Sequence, residues 1–156
     1  MTELRIRKAT EADVPAIVAL LADDPLGAGR ESPDDLTPYL RAFAAIEADA
    51  NQLLVVAERD GRTVGTLQLS LLPGLTRRGA ARGQIEAVRV ARDERGSGLG
   101  AALMQWAIDE AHERGCQLVQ LTSDVSRSDA HRFYERLGFV PTHVGFKLNL
   151  VAAVPD

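Results

Sequence analysis

The segment Arg95-Gly96-Ser97-Gly98-Leu99-Gly100 constrains this chain more than any other. It lies between an alternating run, Gln84 to Val90, and a helical stripe of Leu99, Ala102, Leu103, Trp106, Ala107 and Ala111. The spacing predicts a strand, a tight turn and a helix that Gly115 ends. A helix start leaves N–H groups unpaired, and the helix dipole adds partial positive charge, so such a turn can receive an anion. Glycine lets a ligand approach where a Cβ would stand in the way, and Arg95 adds a charged donor. Taken alone, the three glycines also fit a plain strand-to-helix turn. Two nucleotide motifs do not fit. A P-loop needs Lys-Ser or Lys-Thr after its last glycine, and Ala101-Ala102 stands there. A dinucleotide fingerprint needs G-x-G-x-x-G, and the glycines here run G-x-G-x-G.

The rest of the chain predicts a mixed α/β structure around one central sheet. Leu4 to Lys8 alternates as a first strand. Thr10 with Asp13 signals a helix start ahead of Val14, Ile17, Val18 and Leu21 at helical spacing. Asp24-Pro25 with Gly27 and Gly29 breaks that helix, and Ser32-Pro33-Asp34-Asp35 opens another carrying Leu36, Leu40, Phe43 and Ile46. Leu53 to Glu58 and Thr63 to Leu72 read as strands joined at Asp60-Gly61, a hairpin turn. Pro73-Gly74 begins a polar, arginine-rich loop. Gln117 to Thr122 is a further strand. Ser128 to Leu137 is a short helix with Ala130, Phe133 and Leu137 on one face. Gly138-Phe139-Val140-Pro141 leads into a final strand pair ending near Val151. The predicted order is β-α-α-β-β-β-α-β-α-β-β.

A length of 156 residues favours one domain, residues 1–156. Hydrophobic residues at 46% and charged residues at 26% provide for one proper core, and exclude a disordered tail, a collagen-like fibre and a small disulfide scaffold. No apolar run approaches the ~18–20 residues that cross a bilayer. Met1-Thr2-Glu3-Leu4-Arg5 lacks the pattern of a signal peptide. The single cysteine, Cys116, has no internal disulfide partner, so a cytoplasmic protein with no membrane partner is expected. A net charge of −4 argues against a nucleic-acid partner. Residues 1–60 hold 12 acidic and 6 basic side chains, whereas residues 77–95 hold six arginines against three acids. That contrast fits either ordinary surface variation or an anionic ligand near the arginines.

Arg95, Gly98 and Gly100 also match the pattern Arg or Gln, two residues, Gly, one residue, Gly or Ala. Gly83-Gln84-Ile85-Glu86-Ala87-Val88-Arg89-Val90 precedes them, and Ala130-His131-Arg132-Phe133-Tyr134-Glu135-Arg136-Leu137-Gly138-Phe139 follows. With these segments the chain resembles the GNAT superfamily of acyl-CoA-dependent N-acyltransferases, in order and spacing from about Leu4 to Leu150. The resemblance implies a central, mostly antiparallel sheet of about seven strands, with strands four and five splayed apart and about four flanking helices. It implies acetyl-CoA as co-substrate. Val88, Arg89 and Val90 would line the pantetheine, and Arg95, Gly96, Ser97, Gly98, Leu99 and Gly100 the pyrophosphate. Arg127, Ala130 and Phe133 would add further cofactor contacts. Many relatives carry Asn seven residues before the family tyrosine, and this chain has Arg127 there, which puts that contact on a guanidinium or removes it. The run from Asp124 to Tyr134, with His143 and Phe146, resembles a bacterial branch that includes aminoalkylphosphonate N-acetyltransferases.

By the same resemblance, a primary amine of a small molecule attacks the thioester directly. Glu86 is the general base, directly or through water, and Tyr134 is the general acid toward the departing sulfur. The Val88 N–H would serve the oxyanion. Glu86 read without the resemblance is a surface carboxylate, and Tyr134 a core aromatic beside Phe133. Cys116 reads as a buried structural residue rather than a nucleophile. No metal site is expected: Asp109, His112 and Glu113 share a helix face and read as solvated. A homodimer is expected because relatives often pair. The alternatives are an acyl-CoA sensor without turnover, which would be expected to lack the base and the tyrosine, and an enzyme acting on protein or peptide amines.

Overall fold

The computed structural model describes residues 3–151. Five strands form one sheet in the order β1-β2-β3-β4-β5: Arg5–Lys8, Gln52–Arg59, Arg62–Leu72, Arg82–Val90 and Leu118–Gln120. The first four are antiparallel neighbours, and β4 pairs with β5 in parallel. The helices are α1 (Val14–Ala22), α2 (Thr37–Glu47), the single turn α3 (Thr76–Gly79), α4 (Leu99–Glu113) and α5 (Ser128–Arg136). In α3, Arg77 and Arg78 have φ of 54° and 61°, so this turn is left-handed. Asp60 and Gly61, with φ of 56° and 72°, make the β2–β3 hairpin turn anticipated from the sequence.

Helix α4 covers one face of the sheet. Its Leu99, Leu103, Met104, Ala107 and Ala111 are buried against Val55, Val64, Leu67, Leu69 and Ile85. Met104 belongs to this stripe although the sequence reading omitted it. Close approach is possible because Gly65 has no side chain: a Cβ there would stand 2.8 Å from Leu103 Cδ1 and 3.2 Å from the Arg89 carbonyl oxygen. Helices α1 and α2 cover the other face, where Val14, Ile17, Val18 and Phe43 bury Val56.

Two expectations are corrected. The sheet has five strands among the described residues, not about seven, and residues 139–149 form no strand. The final strand pair keeps its alternating pattern, but it has no strand beside it to bond with. The second helix starts at Thr37 rather than at Ser32. Ser32 instead accompanies a turn in which the Asp35 N–H donates to the Ser32 carbonyl at 3.0 Å.

The entry to α1 is locked electrostatically. Arg7 of β1 donates to both oxygens of Asp13 at 2.8 and 3.0 Å, and the Thr10 N–H donates to Asp13 at 2.7 Å. The Arg7 bonds, helped by Thr10 and opposed by burial, hold the Asp13 carboxyl at about 2, down from 3.8. A carboxyl lowered by folding stabilises the fold above its unfolded pKa and loses that contribution as pH falls through its folded one. Asp13→Asn is therefore expected to cost about 2 kcal/mol at neutral pH. The difference from the parent should vanish between pH 4 and 2, as checked by denaturant melts across that range.

Candidate active site

Pairing between β4 and β5 covers three residue pairs, Arg82↔Leu118, Gly83↔Val119 and Gln84↔Gln120. Beyond them β4 continues to Val90 bonded only to β3, and the chain after Gln120 leaves the sheet. The two strands part beyond Gln84 and Gln120 and leave a cleft between them, in agreement with the splay that the family resemblance implies.

Inside that cleft β4 carries a bulge. On β3 the paired positions step from Gln68 to Thr66, while on β4 they step from Glu86 to Arg89, so β4 holds one residue more. Ala87 absorbs the excess with a φ of 56°, a left-handed conformation that a non-glycine residue rarely adopts. Consequently Ile85 and Val88 both pack toward the α4 core, while Arg89 turns to the α1 side to meet Asp24. The bulge leaves Ala87 and Val88 outside the pairing register with β3.

At the end of α1, two aspartates gather the charges. Asp24 Oδ2 lies 2.9 Å from Arg89 Nε and 3.3 Å from Arg127 Nη2, and its Oδ1 accepts the Gly27 N–H at 2.5 Å. Burial raises the Asp24 carboxyl, but the Gly27 N–H and the two guanidiniums outweigh it, so it titrates below the usual range. Arg30 adds a third positive charge within electrostatic reach of Arg89. Asp23 meets Arg92 at 2.6 Å, and its carbonyl accepts from Arg95 at 3.5 Å.

Tyr134 on α5 faces this cluster. Burial pushes its hydroxyl above the ordinary tyrosine value, against the opposing pull of Arg127 and Arg89. It is a protonated donor at neutral pH. Phe133 and Phe139 hold the ring edge-on, with centroids 5.3 and 6.0 Å away. Ala130 and Phe133 lie half-buried on the same helix. Glu86 stands apart from the arginines. It is exposed on β4 and accepts from Gln84 Nε2 at 2.7 Å, while Gln84 Oε1 accepts from Gln120 Nε2 at 2.9 Å. The sequence reading gave these glutamines no role beyond their strands, and Asp24 none beyond ending a helix. An isolated Asp-Pro after a helix and single glutamines in strands carry no local signal.

The glycine-rich turn lies at the start of α4. Arg95, Gly96, Ser97 and Gly98 are exposed, and Gly98 caps the helix with a φ of 89°. A Cβ on Gly96 or Gly98 would meet no atom within 4 Å, so both face open space in front of the helix start. A Cβ on Gly100 would make ordinary contact with Phe133 Cζ at 3.4 Å and Val90 Cγ2 at 3.8 Å, so the first turn of α4 lies against α5 and the end of β4. Val90, Gly100 and Phe133 therefore meet, and Arg89, Arg127 and Tyr134 meet, while Glu86 contacts neither group. Cys116 is buried, with its thiol pushed up by burial, which suits the structural role read from the sequence.

A sheet opened between its fourth and fifth strands, with a glycine-rich helix start at the mouth, defines an acyl-CoA-dependent transferase. The model of the Acetyltransferase (GNAT) family matches residues 14–139, and the chain belongs to that family. Its members use acetyl-CoA as acyl donor, and this chain is an N-acetyltransferase of that kind. It is 31% identical over 94% of its length to the aminoalkylphosphonate N-acetyltransferase of Salmonella typhimurium, spanning 91% of that protein. It is 42% identical over 51% of its length to glucosamine 6-phosphate N-acetyltransferase of Trypanosoma brucei brucei, spanning 52% of it. A crystal structure from Bacillus halodurans C-125, described as a transcriptional regulator, superposes with a TM-score of 0.91 and 46% identity, over 94% of this chain and 99% of that one. Among the described residues, no helix is long and apolar enough to cross a membrane.

Among the described residues, Asp24 is the only carboxylate shown against the half-buried Arg89 guanidinium. Removing one member of a buried ion pair typically costs about 3–5 kcal/mol, because the other charge is left in a poor environment. Asp24→Ala is expected to fall in that range in urea melts. Arg92→Ala, at an exposed pair with Asp23, is expected to change stability by less than about 1 kcal/mol.

Proposed function

We propose that this enzyme acetylates the primary amine of a small molecule that also carries a phosphonate or phosphate group. The observation that carries the reading is the gathering of Arg89 and Arg127 on the carboxylate of Asp24, beside Tyr134, with Arg30 within electrostatic reach of Arg89. That cluster retains a positive charge at the side of the cleft, and guanidinium groups are suited to the oxygens of phosphonates and phosphates. Two of the relatives named above take such amines by name. An apolar cavity of about 170 Å³ lies between α1, α2 and the sheet, with Ala87 among its lining residues, and it suits the carbon skeleton of a small acceptor.

The pyrophosphate of acetyl-CoA rests on the turn from Arg95 to Gly100, where the exposed glycines leave room for oxygens in front of the helix start. Its pantetheine lies along Val88, Arg89 and Val90 in the strand cleft, bordered by Arg127, Ala130 and Phe133. The acceptor arrives as an ammonium and gives one proton toward Glu86, directly or through water. The amine nitrogen bonds to the thioester carbonyl carbon, and the Val88 N–H faces the resulting oxyanion. As the C–S bond breaks, the thiolate takes a proton from Tyr134. The amine's second proton leaves to solvent or to the tyrosinate.

Thiol release from acetyl-CoA, measured across matched amines, tests the reading. Aminoalkylphosphonates or amino-sugar phosphates are expected to exceed their uncharged counterparts in kcat/KM by at least tenfold. Preference for neutral amines or peptide N-termini would overturn the anionic acceptor. The regulator description of the Bacillus halodurans structure favours a second reading, in which the chain senses acyl-CoA without turnover. Acetyl-CoA binding with no thiol release for any amine would select it.

Glu86→Gln keeps the shape and removes the base. Its rate should fall near neutral pH and recover partly at high pH, where the acceptor is already neutral, as seen in pH–rate profiles. Tyr134→Phe retains the ring contacts with Phe133 and Phe139. Loss of the hydroxyl should lower kcat by about 10²–10⁴ with little change in acetyl-CoA affinity by calorimetry. A donor with a better leaving thiol should narrow that gap.

A further inference from the structure

We infer that Gln84 and Gln120 are positioning residues for this reaction: their side-chain amides form a chain from β5 to β4 that sets the Glu86 carboxylate before the acceptor arrives. The inference rests on the proposed role of Glu86 as base. The register of the sheet places the parts. Gln52, Ser70, Gln84 and Gln120 are partners in one row across β2, β3, β4 and β5. Gln68 and Glu86 are partners in the neighbouring row. Side chains two apart on a strand share a face, so all of these lie on one side of the sheet. Gln68 lines the cavity beneath α1 and α2, which makes this the α1 side. Gln84 and Gln120 are also the last pair of the parallel ladder. Glu86 therefore stands just beyond the point where the two strands part, and the bulge at Ala87 follows it at once.

The hydrogen bonds along this chain run in one direction. An ionised carboxylate accepts and never donates. Gln84 must therefore present its Nε2 to Glu86 Oε1, at 2.7 Å, which turns its own Oε1 back toward β5. There Gln120 presents its Nε2 at 2.9 Å. Each amide polarises the next, and both direct their positive ends toward Glu86. The amide on the other flank is engaged elsewhere. Gln68 Nε2 donates to Gln52 Oε1 at 2.8 Å, and Ser70 Oγ donates to the same oxygen at 2.8 Å. Glu86 is thus anchored through one oxygen only. Among the described residues its Oε2 meets no donor, which leaves that oxygen for the ammonium of the acceptor.

A glutamate on an open strand samples several rotamers, and an ordering cost falls on any step that needs one of them. The amide chain makes that selection before the acceptor binds, which is how a positioned group gains rate over a mobile one. The chain is not a proton relay, because an amide neither gives up nor takes a proton at neutral pH. The proton leaving the acceptor goes to Glu86 Oε2 and afterwards to solvent. Since Gln120 belongs to β5 and Glu86 to β4, the aim of the base is also tied to the spacing of the two strands at the head of the cleft.

Gln84→Met and Gln120→Met keep the side-chain length and remove the amide. Thiol release from acetyl-CoA is followed with aminoethylphosphonate or glucosamine 6-phosphate, whichever turns over faster. Gln84→Met is expected to lower kcat about tenfold and Gln120→Met about threefold, with KM for acetyl-CoA within about twofold of the parent. In a Glu86→Gln background, neither change is expected to slow the enzyme by more than about twofold, because the amides act through that carboxylate. Gln120→Met leaves Gln84 in place and decides the kinetic arm if Gln84→Met fails to fold. The chain is also read without turnover, by the side-chain amide signals of Gln84 in heteronuclear NMR spectra, identified as those that Gln84→Met lacks. They should shift in Gln120→Met and in Glu86→Ala, and signals indifferent to both would overturn the chain. Parental kcat in both methionine variants, with Glu86→Gln slow, would overturn the positioning role and leave the base standing. Equal losses with and without the Glu86 carboxylate would reduce the glutamines to structural residues. A Glu86→Gln enzyme as fast as the parent, or a parent that turns over neither amine, would instead overturn the reading on which the inference rests.

Discussion

One extra residue in β4 sets the site. Without Ala87 in its left-handed conformation, the alternation from Gln84 through Glu86 would put position 88 on the α1 side and Arg89 toward α4. The bulge reverses that order. It sends Val88 into the core and turns Arg89 toward the end of α1, where Asp24 can reach it. It also takes the Ala87 and Val88 backbone out of register with β3, beside the cleft where β5 has already withdrawn. Bulges bend the strand that carries them, and here the bulge lies where β4 has lost its pairing with β5.

The second dependency is electrostatic. Three arginines approach one another near Tyr134, and such a cluster would repel itself without a counter-charge. Asp24 supplies it from a half-buried position, fixed by the Gly27 N–H in the turn that ends α1. The loop that ends α1 thus serves as a clamp. Its Asp23 holds the glycine-rich turn through Arg92 and Arg95, and its Asp24 holds the strand and α5 through Arg89 and Arg127. Three parts of the chain far apart in sequence, around residues 23–24, 89–95 and 127, meet at two adjacent aspartates.

What could be read from the sequence follows from which signals are local. The glycine-rich turn, the stripe on α4 and the Asp60-Gly61 hairpin are each written in a few neighbouring residues, and each is where it was expected. The family pattern pointed to Glu86 and Tyr134, of which the structure brings only Tyr134 beside Arg89 and Arg127. The bulge escaped notice because Glu86-Ala87-Val88 looks like ordinary alternation, and only pairing with β3 reveals the surplus residue. Asp24 escaped because its partners lie about 65 and 103 positions away along the chain. The last strand pair was expected from its alternation and is not formed, since alternation states a preference and does not itself supply a ladder.

Gly100 deserves a closing consideration as a mechanical part. It brings the first turn of α4 against the ring of Phe133, with no flexible side chain between them. Phe133 in turn meets the edge of Tyr134. Protein interiors are packed densely enough that small displacements pass from one contact to the next. The start of α4 and the Tyr134 ring are therefore joined through the ring of Phe133, so a displacement at the helix start has a packed route to the tyrosine.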